Sequence, residues 1–284
     1  VGGKVDSWFD KKGLDKYEKV ASSLNKGNRS RSSKEEGNFF YLPTCNLLVK
    51  RELFLKLDGF NEGMTVGEDV DFCWRVKDSG YEIEYSPAGV VFHKHRNRMW
   101  PFLRRRFEYG TSEPLLNKKH PDRLKKMFYM PLTVLFWLTA LSAILSGHYL
   151  LFFLCAVILI IDTHVKWVKG EKKALPIKYL QILCAVFRGY FVSLYYWCAF
   201  FSRYYLFPAF LLAPVFPVST LILLINHLLV AFCEYFIKKP HQGFLPFSFY
   251  FTLDQLAYQL GVWYGCFRYH AFNPVNPGVS RWRS

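Results

Sequence analysis

The chain of 284 residues is 51% hydrophobic and 19% aromatic, and its 37 basic residues against 22 acidic ones give a formal charge of +15. This composition excludes a disordered chain, and seven cysteines without a CxxC pair or metal-type spacing exclude a disulfide-rich secreted module and a zinc ribbon. The charge alone points to an acidic partner, whether nucleic acid, anionic lipid or a phosphorylated substrate, and its distribution decides among these.

The chain starts at Val1 in VGGKV, without a methionine or a signal-peptide pattern, and is expected to be a fragment. Residues 1–115 read as an α/β segment in contact with water, with short apolar runs separated by Gly, Asn, Asp and Pro. Within it, residues 22–37 (SSLNKGNRSRSSKEEG) bury too little apolar area to offset their ordering entropy and read as a surface loop.

The densest chemistry follows Gly67. Val70, Cys73 and Trp74 recur at helical spacing up to Gly80, so a helix is predicted over 68–79 with Glu68 and Asp69 in its first turn. There the backbone N–H groups and the helix dipole favour an ionised carboxylate, which suits a proton acceptor and equally suits plain charge–dipole stabilisation. Asp71 and Arg75 are four apart and are predicted to form an intrahelical ion pair. Asp69 is rotated about 200° from Asp71, so the two do not share a face. Formally AspValAsp is a DxD, the triplet that holds a divalent cation in nucleotide-sugar enzymes, but a helix interior is the wrong setting for it. Residues 81–85 alternate in strand fashion, and Ser86 and Pro87 are predicted to turn the chain into a second strand over 89–93. That strand ends at His93 and delivers His93 and His95, alternate residues that share a face. They suit a metal ion or a phosphate, and equally a surface pair beside Arg96 and Arg98.

A basic stretch runs from Lys94 to Lys126, and then charge disappears: residues 127–161 contain no Asp, Glu, Lys or Arg. One helix of that length would extend about 50 Å, against about 30 Å of hydrocarbon, and SerGlyHis at 146–148 offers a turn. A helical hairpin over 130–145 and 149–165 is therefore expected. Two further spans are expected over 183–201 and 215–236, although Arg188 near the start of the first would also suit an interfacial helix. The stretch 244–267 carries Asp254 and Gln255 at its centre and reads as an interfacial or re-entrant helix. Basic residues before the hairpin, at 166–173, at Lys238 and Lys239, and at Arg281 and Arg283 all fall on the cytoplasmic side of a four-span topology. The +15 charge is then explained by anchoring to anionic head groups, at about 1 kcal/mol per basic residue near the surface. No nucleic-acid motif accompanies it, and nucleic acid is not expected as a partner.

The ordered set of Asn46 in PTCNLLVKRELF, LDGFNEG, GEDVD with Arg75 downstream, GYEIEYSP and the histidine of VVFH resembles the acceptor half of a family 2 glycosyltransferase. In particular it resembles the mycofactocin-system glycosyltransferases, through KYEKVASSLNKG, HKHR at 93–96, YGTSEPLLNKKHPDRL at 109–124 and GVWYGCFR at 261–268. The resemblance implies an α/β, partial GT-A-type domain over 1–115 and a basic juxtamembrane linker over 116–128. Transmembrane helices over 129–240 and an interfacial or re-entrant tail over 241–284 complete this multi-pass cell-membrane protein, whose catalytic segment is cytoplasmic. It implies inverting transfer of a hexose, glucose from UDP-glucose, from a nucleotide sugar to a hydroxyl of mycofactocin or its peptide-derived precursor. A lipid-linked or cell-surface glycan as acceptor, and an inactive membrane scaffold, are the alternatives.

On this resemblance Asp69 is the general base, Glu68 orients it or the acceptor, and Asn46, Arg75, His93, His95, Arg96 and Tyr109 are substrate-binding. His93 matches the histidine that follows the acidic motif and is a candidate metal ligand, with His95 as its substitute. A divalent cation, Mg or Mn, is implied, with its main aspartate ligands expected upstream of this chain, where the family's donor-binding strands also lie. Asn61 stands where relatives commonly have aspartate.

Overall fold

The computed structural model describes residues 1–37 and 39–281; Arg283, counted above with the cytoplasmic basic residues, lies outside the described residues. The chain forms two compact units, one of residues 1–125 with 201–276 and the other of residues 126–200 with 277–284. The segment 201–276, which the sequence assigns to the spans and the tail, thus belongs to the same unit as the α/β segment.

In the first unit, β1 (Gly2–Ser7) pairs in parallel with β3 (Glu84–His93), and the short β2 (Arg31–Ser32) pairs antiparallel with the other edge of β3. Helices α1 (Gly13–Ala21) and α2 (Ser33–Glu36) flank β2 in sequence, and α3 (Arg51–Lys56) and α4 (Glu68–Asp78) precede β3. The two strands predicted around Ser86 and Pro87 are one strand with an irregularity. Gly3 pairs with Ser86 and Lys4 with Val90, so residues 87–89 bulge from the ladder, as suits a proline without an N–H to give. Asn46 closes this bulge by donating its amide N–H groups to Lys4 O (2.9 Å) and Gly89 O (3.0 Å). The loop expected over 22–37 is likewise more than surface: Ser33 is buried, and Tyr85 donates its hydroxyl to Gly27 O at 2.6 Å.

Helix α4 owes its place to one apolar face. Phe72, Cys73 and Val76 are buried against Leu42, Leu53, Ile83 and Tyr85, each large side chain contributing about 1.5–3 kcal/mol of transfer free energy. Gly67 precedes the helix at φ +83°, a left-handed conformation, and a Cβ there would lie 3.2 Å from Ser112. The left-handed backbone is what favours glycine here, and a Cβ would in addition crowd Ser112.

Helix α5 (Met99–Lys119) takes up the start of the segment expected as a linker, and β4 (Lys126–Tyr129) its end. Helix α10 (Phe244–Tyr269), in the stretch expected as interfacial or re-entrant, is a continuous helix lying along α5. The two backbones touch through glycines: a Cβ on Gly261 would lie 2.0 Å from Phe107 O, and one on Gly110 would lie 2.1 Å from Tyr258 O. Gly261 and Gly265 form the small-xxx-small spacing that lets helices approach this closely.

The second unit holds α6 (Pro131–Ser146), α7 (Leu150–Lys172) and the first part of α8 (Tyr179–Leu212), with β4 paired in parallel to β5 (Gly278–Arg281). The α6–α7 hairpin turns at Gly147, whose φ is +69°. Among the described residues, α7, α8 and α9 (Pro217–Lys238) are long and apolar enough to cross a membrane, and α6 is apolar but shorter. By length and composition this is a membrane protein.

Candidate active site

A cavity of about 440 Å³ opens within the first unit. Helix α4 supplies Gly67, Asp69 and Val70 to its wall, α5 supplies Tyr109, Ser112 and Glu113, and α10 supplies Asp254 and Tyr258. Tyr41, Lys125, Arg203 of α8, and Glu234 and Lys238 of α9 also line it.

Asp69 stands in the first turn of α4, where its Oδ1 accepts the N–H of Val70 at 2.8 Å. Burial pushes its carboxyl up to about 6 and the neighbouring Glu68 adds to the rise, while the Val70 N–H and the charge of Lys26 oppose it. A carboxyl tuned so close to neutrality is ionised at physiological pH yet has appreciable affinity for a proton, the balance a general base needs. Lys26, from the segment expected as a surface loop, holds its ammonium 3.6 Å from the ring centroid of Tyr41. Burial lowers that ammonium to about 8, with Asp69 pulling it back up.

The remaining charges pair off. Glu113 accepts from Lys125, from the Tyr258 hydroxyl and, at 2.9 Å, from the Tyr204 hydroxyl. Burial alone would raise its carboxyl, but Lys125 and Arg203 hold it down at about 2. Arg106 bridges Glu18 of α1 and Asp254 of α10, the latter at 3.2 Å, and Tyr17 donates to Asp254 at 2.8 Å. Lys238 pairs with Glu234 at 3.5 Å. Two charged side chains of the lining make no ion pair among the described residues, Asp69 and Arg203.

The residues singled out from sequence fall in different places. Tyr109 lines the cavity with Asp69, whereas Glu68 stands beside Asp69 in sequence but is not part of the lining. Asp71 is buried and holds Arg75 (2.9 Å) and His120 (3.0 Å), so the formal DxD does not present its two carboxylates together. Arg75 is occupied by Asp71 and by Leu57 O and Gly59 O, fastening α4 to the preceding turn. Asn46 is committed to the strand bulge. His95 is buried, with Ser7 Oγ at 2.9 Å from Nδ1 and Asp15 Oδ1 at 3.4 Å from Nε2. His93 and Arg96 line a separate small crevice that Tyr109 also borders. Burial, then His95, Arg96 and Arg105, lower the His93 imidazole. Among the described residues no group of three His, Cys, Asp or Glu side chains is placed to hold a metal ion, and His93 sits among cations. This does not fit a divalent-cation site.

Lys26, Glu113, Lys125, Arg203 and Tyr258 were not singled out as site residues. Arg203 carried a signal, since an ionisable residue inside an apolar block marks a pathway or a site more often than a packing position. The rest are joined only by contacts spanning up to 145 residues of sequence, as from Glu113 to Tyr258.

Two curated proteins from Mycobacterium tuberculosis, strains CDC 1551 / Oshkosh and ATCC 25618 / H37Rv, are named pre-mycofactocin glycosyltransferase. Each is 25% identical to this chain over 271 residues, which is 93% of this chain and 56% of theirs. The chain is related to the glycosyltransferases of the mycofactocin system. It spans about half the length of these relatives, and a match of that extent takes in parts of both compact units. No protein-family model and no solved structure matches the chain.

Proposed function

We propose that this chain is the acceptor side of a membrane-bound, GT-A-type family 2 glycosyltransferase that moves a hexose, glucose from UDP-glucose, to an acceptor hydroxyl with inversion. The observation that carries the reading is Asp69, an unpaired carboxylate in a cavity wall, tuned to about 6 at the start of a helix. As the hydroxyl attacks the anomeric carbon, Asp69 takes its proton, the new C–O bond forms and the nucleoside diphosphate leaves from the opposite face. The weak nucleophile is activated at the moment it needs to be, which is worth about 10² to 10⁴ in rate. Tyr109 and Ser112 line the same wall and supply hydroxyls to orient the incoming acceptor. The described residues do not form a cation site, and no step is routed through one.

The relatives' names favour mycofactocin or its precursor as acceptor. A second reading, in which a lipid-linked or cell-surface glycan is extended, is favoured by Arg203, Glu234 and Lys238, residues of two candidate membrane spans that line the cavity. Radiolabelled sugar is expected in a soluble cofactor in the first case and in the lipid extract in the second. In the full-length protein, Asp69→Asn is expected to lower transfer by about 10² to 10⁴ with the fold retained. Unchanged transfer would remove Asp69 from the chemistry, and no transfer by the wild type would leave an inactive scaffold.

A further inference from the structure

Helix α10 turns one stripe to the cavity: Phe251, Asp254, Gln255 and Tyr258, spaced i, i+3, i+4 and i+7, all line it. Three of the four have partners in the protein. Asp254 is held by Arg106 and Tyr17, Phe251 packs on the rings of Phe247 and His227, and Tyr258 donates its hydroxyl to Glu113 while its ring carries the Arg203 guanidinium at 3.8 Å. Gln255 is the exception. It is only 8% exposed, yet its side-chain amide makes no hydrogen bond among the described residues, and the bond from Gln259 Nε2 goes to the Gln255 main-chain carbonyl. A buried amide left unpaired costs the desolvation of its polar atoms, so native proteins rarely keep one without a use for it. Because Gln255 lines the cavity, the amide meets that space, which Asp69 also meets, rather than packed protein.

We propose that Gln255 is a specificity-determining residue that reads a hydroxyl of a hexose ring seated in this cavity. A primary amide carries no charge and both donates and accepts. Ionised phosphate oxygens only accept and would leave the Gln255 carbonyl unmatched, whereas a sugar hydroxyl donates and accepts at one atom and matches both ends of the amide. Phe251 and Tyr258 stand about one turn to either side of Gln255 on the same stripe, and their rings give apolar surface for the C–H faces of a sugar, the usual division of labour between an apolar wall and one placed polar group. That the ring belongs to a substrate rests on the transferase reading; the sugar site does not. The hexose is either the one being transferred or one already carried by the acceptor, and the two are separable by experiment.

The test uses the full-length protein in detergent and the methyl glycosides of glucose, galactose and mannose, with the monodeoxy analogues of whichever binds most tightly. Dissociation constants are read by saturation-transfer NMR. Removing the hydroxyl that Gln255 reads is expected to weaken binding to the wild type about tenfold. Gln255→Leu and Gln255→Met are each expected to bind the parent glycoside about tenfold more weakly and to treat it and that one deoxy analogue alike, while still telling the other analogues apart. No hydrogen bond within the protein is lost, so both variants are expected to melt no lower than the wild type, an outcome that a purely structural amide would not give. A carbon-linked, non-transferable analogue of the nucleotide sugar displaces the glycoside if the ring is the transferred hexose and leaves it bound if the ring belongs to the acceptor. UDP alone is expected to displace it in neither case. Displacement by UDP alone would assign the glycoside to the nucleotide and its diphosphate and overturn the proposal, as would binding of no glycoside or discrimination that survives unchanged in both variants. Since no sugar is transferred in these measurements, those outcomes leave the role of Asp69 to be judged by its own variant.

Discussion

Asp69 and Glu113 line one cavity and are driven in opposite directions, because Asp69 has lost water without gaining a cation in contact while Glu113 has gained Lys125 and two hydroxyls. On the proposed role of Asp69 as base, a carboxyl at about 6 works only when ionised, so kcat/KM for transfer by the full-length protein is expected to climb as pH rises through about 6 and to level off above it. A profile flat across that range in initial-rate measurements would contradict the assignment. The same shift acts on stability. The folded state holds the Asp69 proton more tightly than the unfolded chain does, so the fold weakens as pH rises from about 4 to about 6 and above that carries the whole cost, up to about 3 kcal/mol. Asp69→Asn is therefore expected to melt above the wild type at pH 8 and close to it at pH 4. Glu113 behaves in the reverse sense: its contribution is present above the ordinary carboxylate range and is lost as pH falls through about 2. Glu113→Gln leaves Lys125 without its counter-charge, and a loss of about 3 kcal/mol is expected in denaturation at neutral pH.

Between elements, the contact that builds the cavity is the α5–α10 crossing, since those helices supply Tyr109, Glu113, Asp254 and Tyr258. Gly261→Leu would force a side chain into Phe107 O, and the fold is expected to lose about 3 kcal/mol or more, read as a drop in melting temperature and faster proteolysis between the helices. Gly170→Leu, on α7 with nothing within 4 Å of a built Cβ, is the control expected to behave as wild type. This crossing was not legible in the sequence, where Asp254 and Gln255 marked α10 as too polar to be a span without showing what their polar groups meet. Local patterns fared better. Gly67 and Gly80 bracket α4, and the Asp71–Arg75 spacing delivers its ion pair, because both depend on neighbours within a turn or two. Ser86 and Pro87 look like a turn in sequence because they break the ladder; that the strand continues depends on pairing with β1, some eighty residues away, and on Asn46 closing the bulge. Of the site, Asp69 and Tyr109 were legible from motif and resemblance; Lys26 lay inside a run whose polar composition says solvent.

At the scale of the whole molecule the charge pattern and the helix lengths bear on one another. Helix α6 covers 16 residues, about 24 Å, a few ångströms short of the hydrocarbon thickness, whereas α7, α8 and α9 are each long enough. If α6 did not cross, α7 would have to begin on the side that holds the basic segment 94–126, and the lysines at 166–173 would then lie opposite it, splitting the basic residues between the two faces. The proposed four-span topology, in which α6 crosses, would put all of them on one face, and the short length of α6 would cost only a local thinning of the bilayer, a fraction of a kcal/mol per ångström. The tight turn at Gly147 is then exposed outside, and the loop after α7 inside. With the native cysteines replaced, a single cysteine at position 147 is expected to react with a membrane-impermeant maleimide added to intact cells, and one at position 174 only after the membrane is opened. Reaction at 174 but not at 147 in intact cells would invert the topology, placing Asp69 on the outer face, away from a cytoplasmic pool of nucleotide sugar, so the labelling bears on the chemistry as directly as on the architecture.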